Sequence, residues 1–371
     1  AVSVGPVANL PRLDYSGGAT CPSLLLEPQR TNLATFSESF DNAAWIKGDV
    51  TINANQTTSP DGYVNADMVT SDAVGAAHYF GPALMSFTAG SVYTTSIFVK
   101  KGTGRYFQML YGSGGFTAND YANFDLQEGV VTFSGSGASA KISDYPNGWY
   151  RCSITSTCNA TFNDSCYGAI ITTATAARVE FHSSSLSYWV YGYQVEAGAY
   201  ATSYIPTLSA AVTRGADFAN KGSISSLFGA TEGTFFCELT YTNTNSIPIF
   251  LQSSVSSSFN QATYLQLGGN KVTYNVYNGG AQQVGITSTS NFTEGQSLKI
   301  AIVYKAGDFA MYINGVAEGS VSYGSISNSL TAIQIGRWAD GGDTFQYFGR
   351  LNQALLFKTR LSNADLATLT A

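Results

Sequence analysis

Two consecutive antiparallel β-sandwiches are the architecture this sequence predicts, on three observations: an aromatic-rich composition, short alternating runs recurring between turn residues, and a length that suits two domains. Aromatics make up 13% of the chain, with 23 Tyr and 22 Phe, and such side chains favour a pleated, half-buried surface over a helix. At 371 residues the chain exceeds the roughly 100 to 200 residues of a typical domain. Charged residues are 11%, well below the ~25% of an average soluble domain. Ser, Thr, Asn, Gln and Gly supply an uncharged, hydrogen-bonding surface in their place.

The balance of charge narrows the range of partners. Net charge is -6 and Lys and Arg are scattered, so the cationic face that dominates nucleic-acid affinity is missing. No run reaches the ~18 to 20 apolar residues that a spanning helix needs, so membrane insertion is not expected. The N-terminus lacks the basic-then-apolar pattern of a signal peptide, and Ala1 in place of Met suits a processed or trimmed chain. Five cysteines, Cys21, Cys152, Cys158, Cys166 and Cys237, are odd in number and lack CxxC spacing, which points to buried free thiols. If any pair bonds, Cys158 and Cys166 flank a turn-like Asn159 to Asp164 and are the best placed.

Residues 1–30 carry Pro6, Pro11, Pro22 and Pro28 with little periodicity, which reads as an extended connector leaning on a neighbour. Strand-like runs then recur over Ser91 to Lys100, Tyr106 to Tyr111, Tyr121 to Leu126, Val130 to Phe133, Gly148 to Thr155, Ala177 to Phe181 and Leu186 to Glu196. The stretch from Ala201 to Asp217, with Tyr204-Ile205-Pro206-Thr207, interrupts that rhythm and marks a junction. Beyond it, Val272, Tyr274 and Val276 alternate with polar neighbours before Asn278-Gly279-Gly280, and Phe309, Met311 and Ile313 do the same before Asn314-Gly315. These are hairpin signals, since Asn and Gly tolerate the positive φ of a two-residue turn. Near the end, Ser362-Asn363-Ala364-Asp365 ahead of Leu366 and Leu369 predicts one short capped helix.

Two stretches resemble known families. Pro11-Arg12-Leu13-Asp14-Tyr15, Ser23 to Leu33, Phe36 to Trp45, Asn147 to Arg151, Gln194 to Gly198 and Ser203 to Thr207 together resemble the modular region of tail-fibre and appendage proteins of tailed bacteriophages. Within it, Asn32-Leu33 and Phe40-Asp41 to Trp45 are similar to the opening strand of jelly-roll carbohydrate-binding modules. That resemblance implies one cofactor, a structural calcium between first and last strands, with Asp41 and Glu196 at the matching positions. The residues alone favour solvated or turn-capping roles for an isolated Asp and Glu. From about Asp217 onward, Glu232-Gly233-Thr234-Phe235-Phe236, Leu298 to Tyr304, Phe309 to Gly315, Ile333 to Arg337 and Tyr347 to Leu351 resemble concanavalin A-like and laminin G-like sandwiches. Many relatives carry an acid after the last of these runs, where this chain has Asn352. The implied organisation is a connector over 1–30, a jelly roll over 31–207 and a concanavalin-like sandwich over 208–371.

Catalytic equipment is sparse. No Glu-x-Asp or Glu-x-Glu strand motif supplies the carboxylate pair that glycoside hydrolysis requires. His78 and His182 lack metal-ligand spacing, and Gly112-Ser113-Gly114-Gly115 lacks the Lys-Ser/Thr and helix of a phosphate loop. Sugar binding needs aromatic faces with amides and acids instead. Alternation places Trp189, Tyr191, Tyr193 and Val195 on one strand face, which reads as core. The loop from Arg337 to Asp343 sets a Trp among acids and glycines, making Trp338, Asp340 and Asp343 the candidate sugar-binding residues.

With the phage resemblance, these features imply a non-catalytic surface protein of the virion, extracellular, that mediates host adhesion through weak multivalent contacts with a host cell-surface glycan. The resemblance also implies other virion subunits as partners and a homotrimer. The alternatives are a structural virion component without ligand, such as a fibre spacer or capsid decoration, and a polysaccharide depolymerase.

Overall fold

The computed structural model describes residues 11–15, 20–229, 231–252, 261–326, 330–337 and 345–371. The fold is all-β, closed by one short helix, and the chain divides into two units. One comprises residues 29–215. The other joins residues 11–28 to 216–371.

The first unit packs two six-stranded antiparallel sheets. One runs, in spatial order, Ala138–Tyr145, Trp149–Thr157, Val92–Lys101, Ser187–Ala197, Val64–Ser71 and Val50–Thr58; the other runs Val130–Ser134, Tyr121–Asp125, Tyr106–Tyr111, Cys166–Ile171, Tyr79–Gly81 and Ile46–Gly48. Alternation sends Ile97, Val99, Ile154 and Val190 of the first sheet against Phe107, Met109, Phe124 and Ile170 of the second. Trp45 plugs this core between Phe40 and Tyr193, its indole N–H donating to the Phe36 carbonyl at 3.1 Å. Phe40 to Trp45 is a turn rather than the opening strand expected from the resemblance; the strand at that point is Arg30–Asn32, paired with Val212–Arg214.

The aromatic strand Ser187–Ala197 departs from simple alternation. Its pairing with Val92–Lys101 slips between Ser96 and Phe98, where Gly192 takes φ +62°. The extra residue of this bulge switches faces. Tyr188, Val190, Tyr193 and Val195 therefore enter the main core, while Trp189 and Tyr191 join Phe98, Trp149 and Tyr204 on the opposite side. All five cysteines are free thiols; Cys21 is exposed and the other four are buried.

In the second unit a seven-stranded sheet runs Leu13–Asp14, Ser23–Leu26, Gly349–Phe357, Glu232–Thr240, Ser297–Lys305, Phe309–Ile313 and Val316–Val321, and it packs on a six-stranded sheet of Ala219–Lys221, Ala332–Ile335, Ser246–Gln252, Gln261–Gly268, Lys271–Asn278 and Ala281–Thr287. Residues 11–28 are thus not a free connector. Leu24 and Leu26 pair with Leu351 and Gly349, and Leu26 lies in the core. Arg12 reaches Asp217 at 3.0 Å and Glu27 at 3.3 Å in a largely buried ion cluster. Asn352 fixes the same edge, accepting from the Ser23 hydroxyl at 2.6 Å and donating to Glu238 at 2.9 Å.

Three hairpins of this unit turn on two residues with positive φ: Gly269-Asn270, Gly279-Gly280 and Asn314-Gly315. The helix Asn363–Thr370 is capped by Ser362, whose hydroxyl accepts from the Asp365 N–H at 3.2 Å, and it lays Leu366 against Phe236 and Val303. Glu318 holds the Thr289-Ser290 turn, accepting from both backbone N–H groups and the Thr289 hydroxyl at 2.7 to 2.9 Å. Burial opposes its ionisation, but those hydrogen bonds prevail and keep the carboxyl below its ordinary value. A depressed folded-state pKa means stability that is present above the unfolded carboxyl's range and is lost as pH falls through the folded value. Glu318→Gln is expected to flatten the acid limb of a urea-midpoint-against-pH curve for the second unit.

Candidate functional site

The outward face of the second sheet in the first unit carries an unusual set of polar residues. Gln108 and Asn123 stand directly opposite each other on adjacent strands and are fully buried. Gln108 Nε2 donates to Asn123 Oδ1 at 2.8 Å and to the Ala177 carbonyl at 3.1 Å, while its Oε1 accepts from the Val179 N–H at 2.7 Å. Asn123 Nδ2 donates to the Ala176 carbonyl at 2.8 Å and the Ala174 carbonyl at 3.2 Å. Two amides therefore clamp the segment after Ile171 onto the sheet. For that reason Ala177 to Phe181 is not the strand its residues predict; only Phe181–His182 pairs, with Ala76–Ala77.

Val179 sits at φ +54°. For a β-branched residue this conformation costs about 1–3 kcal/mol and persists only where its surroundings impose it. Its consequence is to project Arg178 beside Tyr111, whose carbonyl accepts from Arg178 Nη2 at 2.5 Å. Arg178 Nε is buried and meets no acceptor within the protein. Burial lowers the affinity of this guanidinium for its proton, against the opposing pull of Asp164 and Asp120.

Arg178 lines a cavity of about 510 Å³ together with Tyr79, Leu110, Phe162, Asp164, Tyr167 and the Gly112–Gly114 loop. Tyr79 and Tyr167 meet edge to face at 5.4 Å. Asp164 shapes the far wall, its Oδ2 accepting from the Gly114 N–H at 2.7 Å and its Oδ1 from the Ser165 N–H at 2.9 Å. The loop approaches so closely that a Cβ on Gly112 would lie 1.8 Å from Asp164 Oδ1. Gly112→Ala is expected to displace that carboxylate and to lower first-unit stability by about 1–3 kcal/mol in thermal unfolding. A second concavity of about 740 Å³, lined by Leu84, Ser86, Thr161 and Asn163, shares Phe162 and Asp164 with the first.

Aromatic side chains, a guanidinium and a carboxylate lining one cavity form a set suited to a ligand rich in hydroxyls, where rings stack and polar groups fix orientation. Several titratable groups elsewhere are committed to structure. Both ring nitrogens of His78 face carbonyls, of Asp49 at 2.7 Å and His182 at 2.9 Å. The Tyr191 hydroxyl joins two carboxylates, Asp61 at 2.7 Å and Glu38 at 3.1 Å. Burial raises the Glu38 carboxyl, whereas Asp61, despite burial, is held low by hydrogen bonds from Ser59, Tyr63, Tyr191 and Asn65. Neither acid lines the two concavities.

The residues singled out from the sequence fall elsewhere. Trp338, Asp340 and Asp343 lie outside the described residues. Glu196 is fully buried, and its carboxylate accepts from Gln194 Nε2, the Thr202 N–H and the Thr202 hydroxyl at 2.6 to 2.9 Å, with Arg30 at 3.7 Å. Asp41 is exposed on a turn. A calcium ion does not fit this pair: protein donors occupy the Glu196 oxygens, a guanidinium stands where a cation would sit, and no group of three or more metal-ligating side chains occurs among the described residues. Phe162, Asp164, Arg178, Tyr79 and Tyr167 were not foreseen as a site. An aromatic within the turn-like segment between Cys158 and Cys166 was the one available signal; the rest of the set is assembled by pairing between distant strands.

Comparison with known proteins bears on the second unit. No curated protein matches the chain. Solved structures that show partial likeness include the following three. A heptameric SAP-like pentraxin from Limulus polyphemus is 16% identical, covering 38% of this chain and 70% of that one, with TM-score 0.31. The Ruminococcus gnavus IT-sialidase CBM40 bound to alpha2,3 sialyllactose is 13% identical, covering 41% and 98%, with TM-score 0.35. A structure described for botulinum neurotoxin type C, whose cell entry depends on interaction with two ganglioside molecules, is 11% identical, covering 42% and 39%, with TM-score 0.33. Residues 226–367 match the family described as the Concanavalin A-like lectin/glucanases superfamily, and the second unit therefore holds a concanavalin A-like, laminin G-like domain.

Proposed function

We propose that this chain is a non-catalytic glycan-binding protein that engages its ligand through the cavity of the first unit. The observation that carries the reading is a cavity that sets Arg178 and Asp164 among the aromatic side chains of Tyr79, Tyr167 and Phe162. Sugar hydroxyls would meet the polar groups of Arg178 and Asp164 while a pyranose face covers an aromatic ring. The match of residues 226–367 to the Concanavalin A-like lectin/glucanases superfamily lies in the second unit and supports a carbohydrate partner for the chain as a whole. On the resemblance of the first half to tail-fibre proteins, the role is host adhesion on the surface of a phage virion, among other virion subunits and in a homotrimer whose several weak sites act together.

Binding of the chain to host cells and to immobilised host polysaccharide, followed by surface plasmon resonance, tests this. Phe162→Ala and Arg178→Ala are expected to weaken binding at least about tenfold, equivalent to 1.4 kcal/mol, without loss of folding. Incubation with the same polysaccharide is expected to release no oligosaccharide. Binding that both variants leave intact would remove the cavity from the account.

A further inference from the structure

We infer that the ligand is a neutral glycan carrying a methyl-bearing substituent, an acetamido group or a deoxy-sugar methyl, with that methyl seated against Leu84 while the hydroxyls of the glycan meet Arg178. This rests on the glycan-binding reading of the same cavity. The two concavities share Phe162 and Asp164, so a ring placed on Phe162 faces both at once. Their walls differ in chemistry. One sets Arg178 beside Asp164. In the other, the polar groups are already engaged: the Ser86 hydroxyl donates to Asn163 Oδ1 at 2.7 Å, and the Thr161 hydroxyl accepts from the Ala89 N–H at 3.0 Å. Beside these exposed polar residues the large apolar side chains are Leu84, 62% exposed, and Phe162, 53% exposed. Scattered exposed hydrophobics are ordinary, but two large ones lining one concavity beside a polar cavity mark a contact surface.

Charge decides between neutral and acidic ligands. Arg178 is the cation of the cavity, and Asp164 stands in the same wall with Asp120 also acting on Arg178. Two carboxylates against one guanidinium leave no surplus of positive charge for a uronate or other acidic sugar. Such a ligand would also meet Asp164 at close range.

The test uses the full chain and matched probes in isothermal titration: N,N′,N″-triacetylchitotriose against cellotriose, N-acetyllactosamine against lactose, D-rhamnobiose against D-mannobiose, and cellotriose against a triglucuronate. In at least one of the first three pairs the substituted member is expected to bind about tenfold tighter. Leu84→Ser should bring that ratio to within about twofold while sparing the affinity of the hydroxyl member, a change that an exposed position tolerates without unfolding. Equal binding within every pair that binds, a preference for the triglucuronate, or a ratio untouched by Leu84→Ser would overturn the inference and leave glycan binding standing. No binding by any probe would overturn both. Binding that Phe162→Ala leaves unchanged would place the ligand elsewhere and overturn both as well.

Discussion

Leu26→Asp is expected to lower the unfolding transition of the second unit by on the order of 10 °C, and to leave that of the first unit where it is. Leu26 is 3% exposed. It packs against Gly336, whose φ is +89°, and it belongs to the core shared by Phe235, Leu251 and Ile302. Placing a carboxylate there forfeits the burial of a leucine, worth about 2–5 kcal/mol by truncation data, and adds the cost of an unpaired buried charge. For a domain of this size each kcal/mol moves the midpoint by roughly 2–4 °C. Differential scanning calorimetry separates the two transitions, with a variant confined to the first unit, Gly112→Ala, identifying the other one. A shift of the first-unit transition by Leu26→Asp would mean that residues 11–28 serve the sandwich they precede rather than the one completed by residues 349–357.

Gln108→Leu is the second substitution from which a large loss is expected, about 3–5 kcal/mol in urea unfolding of the first unit. Leucine lacks the amide and strands three partners: the buried Asn123 Oδ1 and the part-buried Ala177 carbonyl and Val179 N–H. Each buried group left without a partner costs about 1–3 kcal/mol. Removing the acceptor of Val179 also removes the restraint that holds it at positive φ, so its amide is expected to exchange hydrogen at rates typical of an exposed loop. Arg178 then loses its position and ligand affinity falls with it. Val179→Gly added to Gln108→Leu is expected to recover part of the stability, because glycine adopts that φ without strain, but not the binding. Retention of slow Val179 exchange in Gln108→Leu would show that something other than the amide clamp holds the segment.

Much of the fold is legible in local chemistry. Gly279-Gly280 and Asn314-Gly315 turn where their tolerance of positive φ requires, Tyr106 to Tyr111 is a strand over the range its residues suggest, and Ser362 with Asp365 caps the helix. The departures have non-local causes. Gly192 inserts a bulge that reverses which aromatics of its strand face the core, and nothing in the alternating pattern registers it. Ala177 to Phe181 has strand-forming residues, but Gln108 and Asn123, some 50 to 70 positions away, capture its backbone. The candidate site depends on that capture, and on Tyr79 and Tyr167 meeting across paired strands, so its members carry no common motif. Residues 11–28 read as a connector because their prolines interrupt periodicity, whereas the short strands between them find an edge formed more than 320 residues later.

That last pairing sets a timetable for synthesis. Leu351 and Gly349 are translated more than 320 residues after Leu24 and Leu26; at roughly 5–20 residues per second, the wait is tens of seconds. Over that interval residues 29–215, whose strands pair among themselves, have time to fold while an apolar ribbon upstream stays unmatched. A nascent chain halted before residue 349 would keep this ribbon open as a sticky end for chaperones or for sister polypeptides on the same message.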